Sequence, residues 1–275
     1  MKKADLHIHT TASDGFFSAE EICEKALEVE LAGIAITDHD TIDGLGENEL
    51  LQKKFKGLKI VPGIEIGSYW MDLDLHILGY NINYKLSWLR DYLHSLQKSR
   101  IERIEKIISK LNKLGYKISF SDIIAVKGET NGSIGRPHVA KALVSRGYFP
   151  SSNEAFSSLL DVGKLAYVPR KKITPFEAIE VILKAGGIPV LAHPGLSLKG
   201  SYEIIFELIR GGLLGIEVYY PEHSLDDIRF YNELAEQYNL IVTGGSDFHG
   251  YEGDRLGKSF VDISVILQIY EKTKD

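Results

Sequence analysis

A single cysteine in 275 residues, Cys23, excludes any disulfide within the monomer. Its place inside the helical run SAEEICEKALEVE makes it a small buried thiol before it is a nucleophile. No stretch reaches the ~18 apolar residues of a membrane helix. No apolar segment follows Lys2 and Lys3 either, so the expected compartment is the cytoplasm. Excess positive charge is also missing. The 32 basic residues against 38 acidic ones leave a net charge of -6, which disfavours a general nucleic-acid coat but allows a local basic pocket. Glycine loops for nucleotides are absent: GLG at 44–46 lacks the third glycine of a dinucleotide loop, and Gly253 before GKS at 257–259 is one residue short of P-loop spacing. No segment points to a protein partner.

With 44% hydrophobic and 25% charged side chains, the chain can bury a full core. A strand near 3–9 leads to a helix opened by Ser18 with Glu21 three residues on, a capping box. Strands follow at GIAIT, 58–66 and 73–80, with a helix around 45–56 between the first two. After Asn83 the texture changes to the charged amphipathic run SWLRDYLHSLQKSRIERIEKIISKLNKLG, capped by Gly115, in which the aliphatic residues of 101–111 form the core face. Alternation returns with IPVLAH, LLGIEVYY, a helix over 224–238, LIVTGGSD and a last helix near 261–272. This rhythm predicts an α/β barrel in residues 1–84 and 165–275, interrupted by an α-helical insert at 85–164.

Histidine is where the sequence concentrates chemistry. His7 and His9 lie two apart in an alternating run, so a strand points both imidazoles to one face, with Asp5 placed there to hold an imidazole and Asp14 returning in the TASDG turn. Asp38, His39 and Asp40 follow GIAIT, Glu65 ends IVPGIE, His76 lies in LDLHILGY, His193 ends IPVLAH, and Asp247 and His249 follow LIVTGG. Each position is one where a parallel strand would deliver a side chain to the barrel rim. Gly244 and Gly245 allow a sharp turn there. One histidine alone is more often a hydrogen-bonding core or surface residue. Six at strand ends beside three carboxylates make a gathered metal site the better account, while His94 on the charged insert helix and His223 before an N-cap at Ser224 read as surface residues.

Hydrolytic sites use about three protein ligands per ion and leave a position for water, so nine ligands suit three divalent ions. Nitrogen and oxygen donors without thiolate admit manganese, iron or zinc. Such ions would ionise a bridging water and neutralise a phosphoryl group under in-line attack, which makes phosphoester hydrolysis the natural reaction.

In order along residues 5–249, DLHIHT, TDHD, PGIE, LHILGY, AHPG and SDFHG resemble the metal motifs of the PHP (polymerase and histidinol phosphatase) superfamily. SRIERIEKI, IGRPHVAKALVSRGY and GKLAYVP are similar to stretches of its bacterial nucleoside 3',5'-bisphosphate phosphatases, which also act as 5'-to-3' exoribonucleases. The resemblance implies a distorted (β/α)7 barrel with a small helical insert and a trinuclear centre, usually supplied with Mn2+. It implies a metal-bridged hydroxide that releases inorganic phosphate from the 3' position of a nucleoside bisphosphate, or 5'-nucleotides from short RNA. It assigns His7, His9, Glu65 and Asp247 to one ion, Glu65 with His76 and His193 to a second, and Asp14, His39 and His249 to a third, with Glu65, Asp247 and His193 at the reacting centre. Many members carry histidine where Asp14 stands, although an acid is usual in the nucleotidase branch.

In the insert, Arg100 and Arg103 share a helical face at i, i+3, and Arg136 stands beside His138 where Pro137 marks a helix start. With Lys164 they either hold a second phosphate or form a solvated face. A histidinol-phosphate or other small phosphomonoesterase has no use for that second anion pocket. A non-catalytic metal scaffold of the same superfamily has no need to keep every ligand.

Overall fold

The computed structural model describes residues 2–127, 134–169, 173–198, 200–251 and 253–273. It separates the chain into two compact units, Met1–Asp91 with Lys172–Asp275, and Tyr92–Lys171. The first is built on eight strands: β1 (Lys3–Ile8), β2 (Leu31–Ile36), β3 (Lys59–Trp70), β4 (Leu73–Tyr80), β5 (Ile188–Leu191), β6 (Gly215–Tyr219), β7 (Ile241–Gly244) and β8 (Val261–Asp262). They form one sheet in the order β7-β6-β5-β4-β3-β2-β1-β8. Helices Ala19–Glu28, Pro175–Lys184, Glu203–Arg210, Leu225–Tyr238 and Ser264–Lys272 alternate with the strands, and three begin in capping boxes, at Ser18, Thr174 and Ser224.

The ring closes nearly completely at β1. Its first half pairs with β8 at Lys3 and Ala4, while its second half meets the segment after β7: His9 N donates to Phe248 O at 2.9 Å and Phe248 N to His7 O at 3.3 Å. This is the expected distorted β/α barrel, with a short extra strand where the sequence reading began its last helix. Val261 pairs with β1, and Asp262 caps Ser264 N at 3.0 Å, so the helix cannot start earlier.

Strand direction departs from expectation in one place. β4 runs antiparallel to both β3 and β5, in a hairpin that pairs Trp70 with Leu73 and extends β3 past the expected end at residue 66. No parallel strand end delivers His76. On β3 the buried Val61 precedes Glu65, whereas on β4 His76 precedes Leu78. A strand that runs the opposite way meets the rim before the core. The same strand faces thus carry both: Leu6, Ala35, Val61, Leu78, Val190 and Ile241 form an apolar cluster in this unit.

Gly244 and Gly245 have a different reason from the one expected. Neither adopts a left-handed backbone. A Cβ at Gly245 would lie 2.4 Å from His7 N and Cβ, and one at Gly244 would lie 2.7 Å from Tyr219 O. They permit close approach at the seam of the barrel.

The second unit holds most of the long helix Ser87–Lys113 and shorter helices at Phe120–Lys127 and Arg136–Ser145. Ile104, Ile107 and Leu111 pack there against Val139, Leu143 and Leu160, while Ile101, expected on the same core face, is exposed. Cys23 is buried as expected, and burial pushes its thiol up to about 12.

Because β1 has no room to yield at the seam, Gly245→Ala should cost about 2–3 kcal/mol. Thermal unfolding should show a midpoint several degrees lower, while Gly57→Ala, whose Cβ would meet nothing within 4 Å, should leave it nearly unchanged. Equal midpoints for the two variants would remove the close-approach argument.

Candidate metal centre

One imidazole from β1 and one just past its end, one carboxylate from β3 and one acid after β7 meet first. His7, His9 and Glu65 are fully buried. Glu65 Oε2 lies 3.4 Å from His7 Nε2, 3.3 Å from His9 Nε2 and 2.8 Å from His39 Nδ1. Its Oε1 lies 2.8 Å from His76 Nδ1 and 3.2 Å from His193 Nε2. Asp247 Oδ1 faces His7 Nε2 at 3.3 Å and His9 Nε2 at 3.0 Å. Asp14 Oδ1 lies 3.3 Å from His249 Nε2, and Asp14 Oδ2 lies 3.9 Å from His39 Nε2. All nine residues singled out in the sequence therefore come together. Three groups with donor atoms within 4.8 Å of one another result: His7, His9, Glu65, Asp247; His9, Asp14, His39, His249; and His39, Glu65, His76. His193 joins through Glu65 Oε1 and stands outside all three. His39 faces two groups at once.

These contacts do not complete themselves. His7 Nε2, His9 Nε2, Glu65 Oε2, Asp247 Oδ1 and Asp14 Oδ1 are buried without a well-directed hydrogen bond. Leaving so many polar atoms unmatched is costly. Burial lowers the basicity of His9, but Asp247 and Glu65 overcome it and hold the ring at about 10. His7 and His76 are likewise raised against burial by the carboxylates they face. At His39 burial prevails and lowers it. Burial pushes Glu65 and Asp247 upward, yet the imidazoles hold both well below the usual carboxylate range. A pocket whose unmatched nitrogens and oxygens converge, with no sulfur, fits divalent cations of the manganese, iron and zinc type.

The outer contacts fix which ring nitrogen faces inward. His7 Nδ1 lies 3.1 Å from Glu217 Oε1, an acceptor, so Nδ1 carries the proton and Nε2 faces the cluster. His249 Nδ1 donates to Asp247 O at 2.8 Å. His9 Nδ1 lies 3.5 Å from Ser13 Oγ, whose own proton goes to Asp38 at 2.5 Å, and His193 Nδ1 is held by Ser197 Oγ at 3.2 Å. Tyr220 donates to Asp247 Oδ2 at 3.1 Å, which leaves Oδ1 to the imidazoles. His193 and Asp247 also hold left-handed backbones, at φ 29° and 52°, conformations that cost free energy in a non-glycine residue.

Two sequence assignments change, and one residue is added. Asp5 holds no imidazole: it accepts from Ser246 N at 2.9 Å, Ser246 Oγ, Gly257 N at 2.8 Å and His7 N at 3.3 Å, and so pins the loop after β7. Burial raises its carboxyl to about 6 against those bonds. Glu217, which the sequence reading missed, takes the imidazole instead. Fully buried on β6, it holds His7 and accepts from His193 N at 2.8 Å, so one carboxylate orients two elements of the cluster. An acid inside the apolar run LLGIEVYY was the available signal. His223 is buried rather than superficial. Its Nδ1 donates to Val218 O at 2.9 Å and its Nε2 accepts from Gly195 N at 3.1 Å, which braces the turn after His193.

Within the insert unit, Arg103 donates to Val168 O at 2.8 Å and Arg136 to Leu160 O at 3.1 Å. Both guanidiniums lie over the Tyr167 ring, 5.9 and 5.6 Å from its centroid. Arg100 and Arg103 are half-buried, so the pair does not form a fully solvated face. His138 Nδ1 accepts from Gly135 N at 3.1 Å, and Lys164 is exposed.

A rim of six histidines and three acids on a β/α barrel defines a metal-dependent hydrolase site. The family model for the PHP domain matches residues 5–166, and the chain belongs to that family of metal-dependent phosphoesterases. It is 32% identical to a 5'-3' exoribonuclease of Haemophilus influenzae over 98% of this chain and 99% of that one. It is also 32% identical to a phosphoribosyl 1,2-cyclic phosphate 1,2-diphosphodiesterase of Eggerthella lenta, covering 90% and 95% of the two chains. A 3',5'-nucleoside bisphosphate phosphatase of Chromobacterium violaceum matches at 32% over 90% of this chain and 88% of its own. The solved structure of a protein assigned as a metal-dependent phosphoesterase from Bifidobacterium adolescentis superposes with a TM-score of 0.85 at 29% identity, covering 98% and 96%. No described helix is long and apolar enough to cross a membrane.

Since Glu217 sets the tautomer of His7 and the position of His193, Glu217→Gln should weaken metal binding about 10- to 100-fold. Metal content after dialysis against graded free Mn2+ measures this, with circular dichroism checking the fold. Wild-type loading would reduce Glu217 to a packing residue.

Proposed function

We propose that the chain holds three divalent cations, manganese foremost, and hydrolyses phosphate esters of nucleotides. The substrates are nucleoside 3',5'-bisphosphates, cleaved at the 3'-phosphate, or short RNA degraded from its 5' end, and the compartment is the cytoplasm. The observation that carries the reading is Glu65: both oxygens of one buried carboxylate are shared among five imidazoles. His7, His9, Glu65 and Asp247 would hold one cation, Glu65, His76 and His193 a second, and Asp14, His39 and His249 a third. His39, with one nitrogen toward Glu65 and the other toward Asp14, serves a single cation unless it loses both ring protons. When bound, such cations bring the pKa of water from 15.7 to near 7 and neutralise phosphoryl charge.

The chain's own groups prepare that chemistry. The protonated Nδ1 atoms of His7, His9, His193 and His249 are held by Glu217, Ser13, Ser197 and the Asp247 carbonyl, so each Nε2 is presented without rotating. Tyr220 keeps Asp247 to one inward oxygen. Complete retention of the donor set supports an enzyme over a scaffold. The bisphosphate and exoribonuclease relatives support a nucleotide substrate. Arg100, Arg103, Arg136, His138 and Lys164 of the insert are assigned to the phosphate that is not cleaved, a role supported by the two guanidiniums gathered at Tyr167.

The test offers Mn2+-loaded protein adenosine 3',5'-bisphosphate, a 5'-phosphorylated oligoribonucleotide, a ribose 1,2-cyclic phosphate and histidinol phosphate side by side. Preference for the nucleotides is expected; preference for the cyclic ester or histidinol phosphate would overturn the substrate assignment. Glu65→Gln should lose more bound metal than His249→Ala and lower kcat by several orders of magnitude, read by elemental analysis and turnover. Full metal content with unimpaired turnover would show that Glu65 is not shared. Arg136→Ala should lower kcat/KM on the bisphosphate about tenfold or more and spare a simple phosphomonoester. Equal losses on both would move Arg136 to the reacting centre.

A further inference from the structure

Among the described residues, the two most exposed aromatic side chains are Phe16, at 66%, and Tyr251, at 50%. Each follows a member of the metal cluster by two positions, Asp14 and His249. An isolated exposed aromatic needs no explanation. Two on the rim of one centre, built as these are, call for one.

The two loops are stitched together. Phe16 N donates to His249 O at 2.7 Å, and Tyr251 Oη donates to Asp14 O at 2.7 Å. Asp254 Oδ2 accepts from both His249 N at 3.1 Å and Tyr251 N at 3.2 Å, which fixes the turn between them. Gly250, at φ +84°, lies so close that a Cβ would meet the Phe17 ring at 2.7 Å and Phe16 Cβ at 3.1 Å. The Phe16 ring stands edge-on to Phe17, with centroids 5.1 Å apart at 78°, and Phe17 lies parallel to Phe248 at 6.1 Å and 3°. Tyr251 lies nearly parallel to the His249 imidazole, at 6.2 Å and 14°. Phe16 is thus braced from below while two thirds of it remains in water, an arrangement that adds little to folding and preorganises a flat apolar surface.

We propose that Phe16, with Tyr251 on the same rim, is the stacking platform for the base of the substrate. The inference rests on the nucleotide reading above and adds the element that recognises the nucleoside. A nucleobase is the part of a nucleotide with an apolar π face, and stacking accepts any base. The site therefore selects nucleotides over sugar phosphates without reading sequence, as stepwise degradation of RNA requires.

The experiment compares wild type, Phe16→Ala and Phe16→Trp, loaded with Mn2+, on adenosine 3',5'-bisphosphate and on ribose 3,5-bisphosphate, which carries the same phosphates without a base. Phe16→Ala should raise KM for the nucleotide roughly 5- to 100-fold with little change in kcat, the loss should be confined to the base-bearing substrate, and Phe16→Trp should restore it. Metal content and unfolding midpoint should match wild type, since the ring is mostly in solvent. A loss of equal size on both substrates, or none on either, overturns the platform. Failure of the nucleotide reading looks different: the wild type itself would then cleave neither compound, or both equally well, and the platform would fall with it.

Discussion

Everything at the rim of this barrel depends on burying one carboxylate among basic nitrogens. Glu65 has no exposure to water and meets His7, His9 and His39 through one oxygen, His76 and His193 through the other. A lone carboxylate in such a place would be neutralised by a proton. The surrounding imidazoles hold it ionised instead, and His7, His9 and His76 in turn hold protons that burial alone would drive off. Unmatched atoms on His7, His9, Glu65 and Asp247 show that these groups do not satisfy one another fully. A cation does that better than a proton, because it accepts several donors at once.

Holding such a cluster open requires the barrel to resist collapse around it. Glu217, Ser197, Ser13 with Asp38, and Tyr220 each take the outward atom of a cluster member, which removes the alternative rotamers by which the pocket could pair internally. Asp5 ties the loop that carries Asp247 back to β1, and His223 ties the turn that carries His193 back to β6. His193 and Asp247 keep left-handed backbones within this bracing, since non-glycine residues stay there only when surrounding contacts determine them. Stability is given up at the rim and supplied by the apolar barrel beneath it.

The antiparallel β4 gives the site its asymmetry. A fully parallel barrel would deliver all its ligands from strand ends. Here β3 runs past Glu65 into a hairpin, so Glu65 and His76 come from strand interiors and are held by ladder hydrogen bonds on both sides, while His39, His193, Asp247 and His249 come from turns. The residue shared by most contacts therefore sits on a backbone that is hydrogen-bonded on both sides.

Much of this was legible in the chain alone. All nine cluster residues could be named because six imidazoles recur with three carboxylates in and beside apolar runs, too many for the isolated hydrogen-bonding roles of single histidines, and because period-two alternation puts His7 and His9 on one face. The barrel followed from the alternation of strands and helices, and the capping box at Ser18 from local hydrogen bonding. What local pattern could not determine were pairings between distant segments. Glu217 reads as one acid in an apolar strand until β6 lies beside β5 and near β1; Asp5 looks like an imidazole's partner until the loop after β7 closes over it. His223 looks exposed until Gly195 N reaches it. Gly244 and Gly245 look like turn residues until β1 and β6 approach them. Those roles depend on which atoms the closed barrel brings within hydrogen-bond or van der Waals distance, and only the tertiary structure decided them.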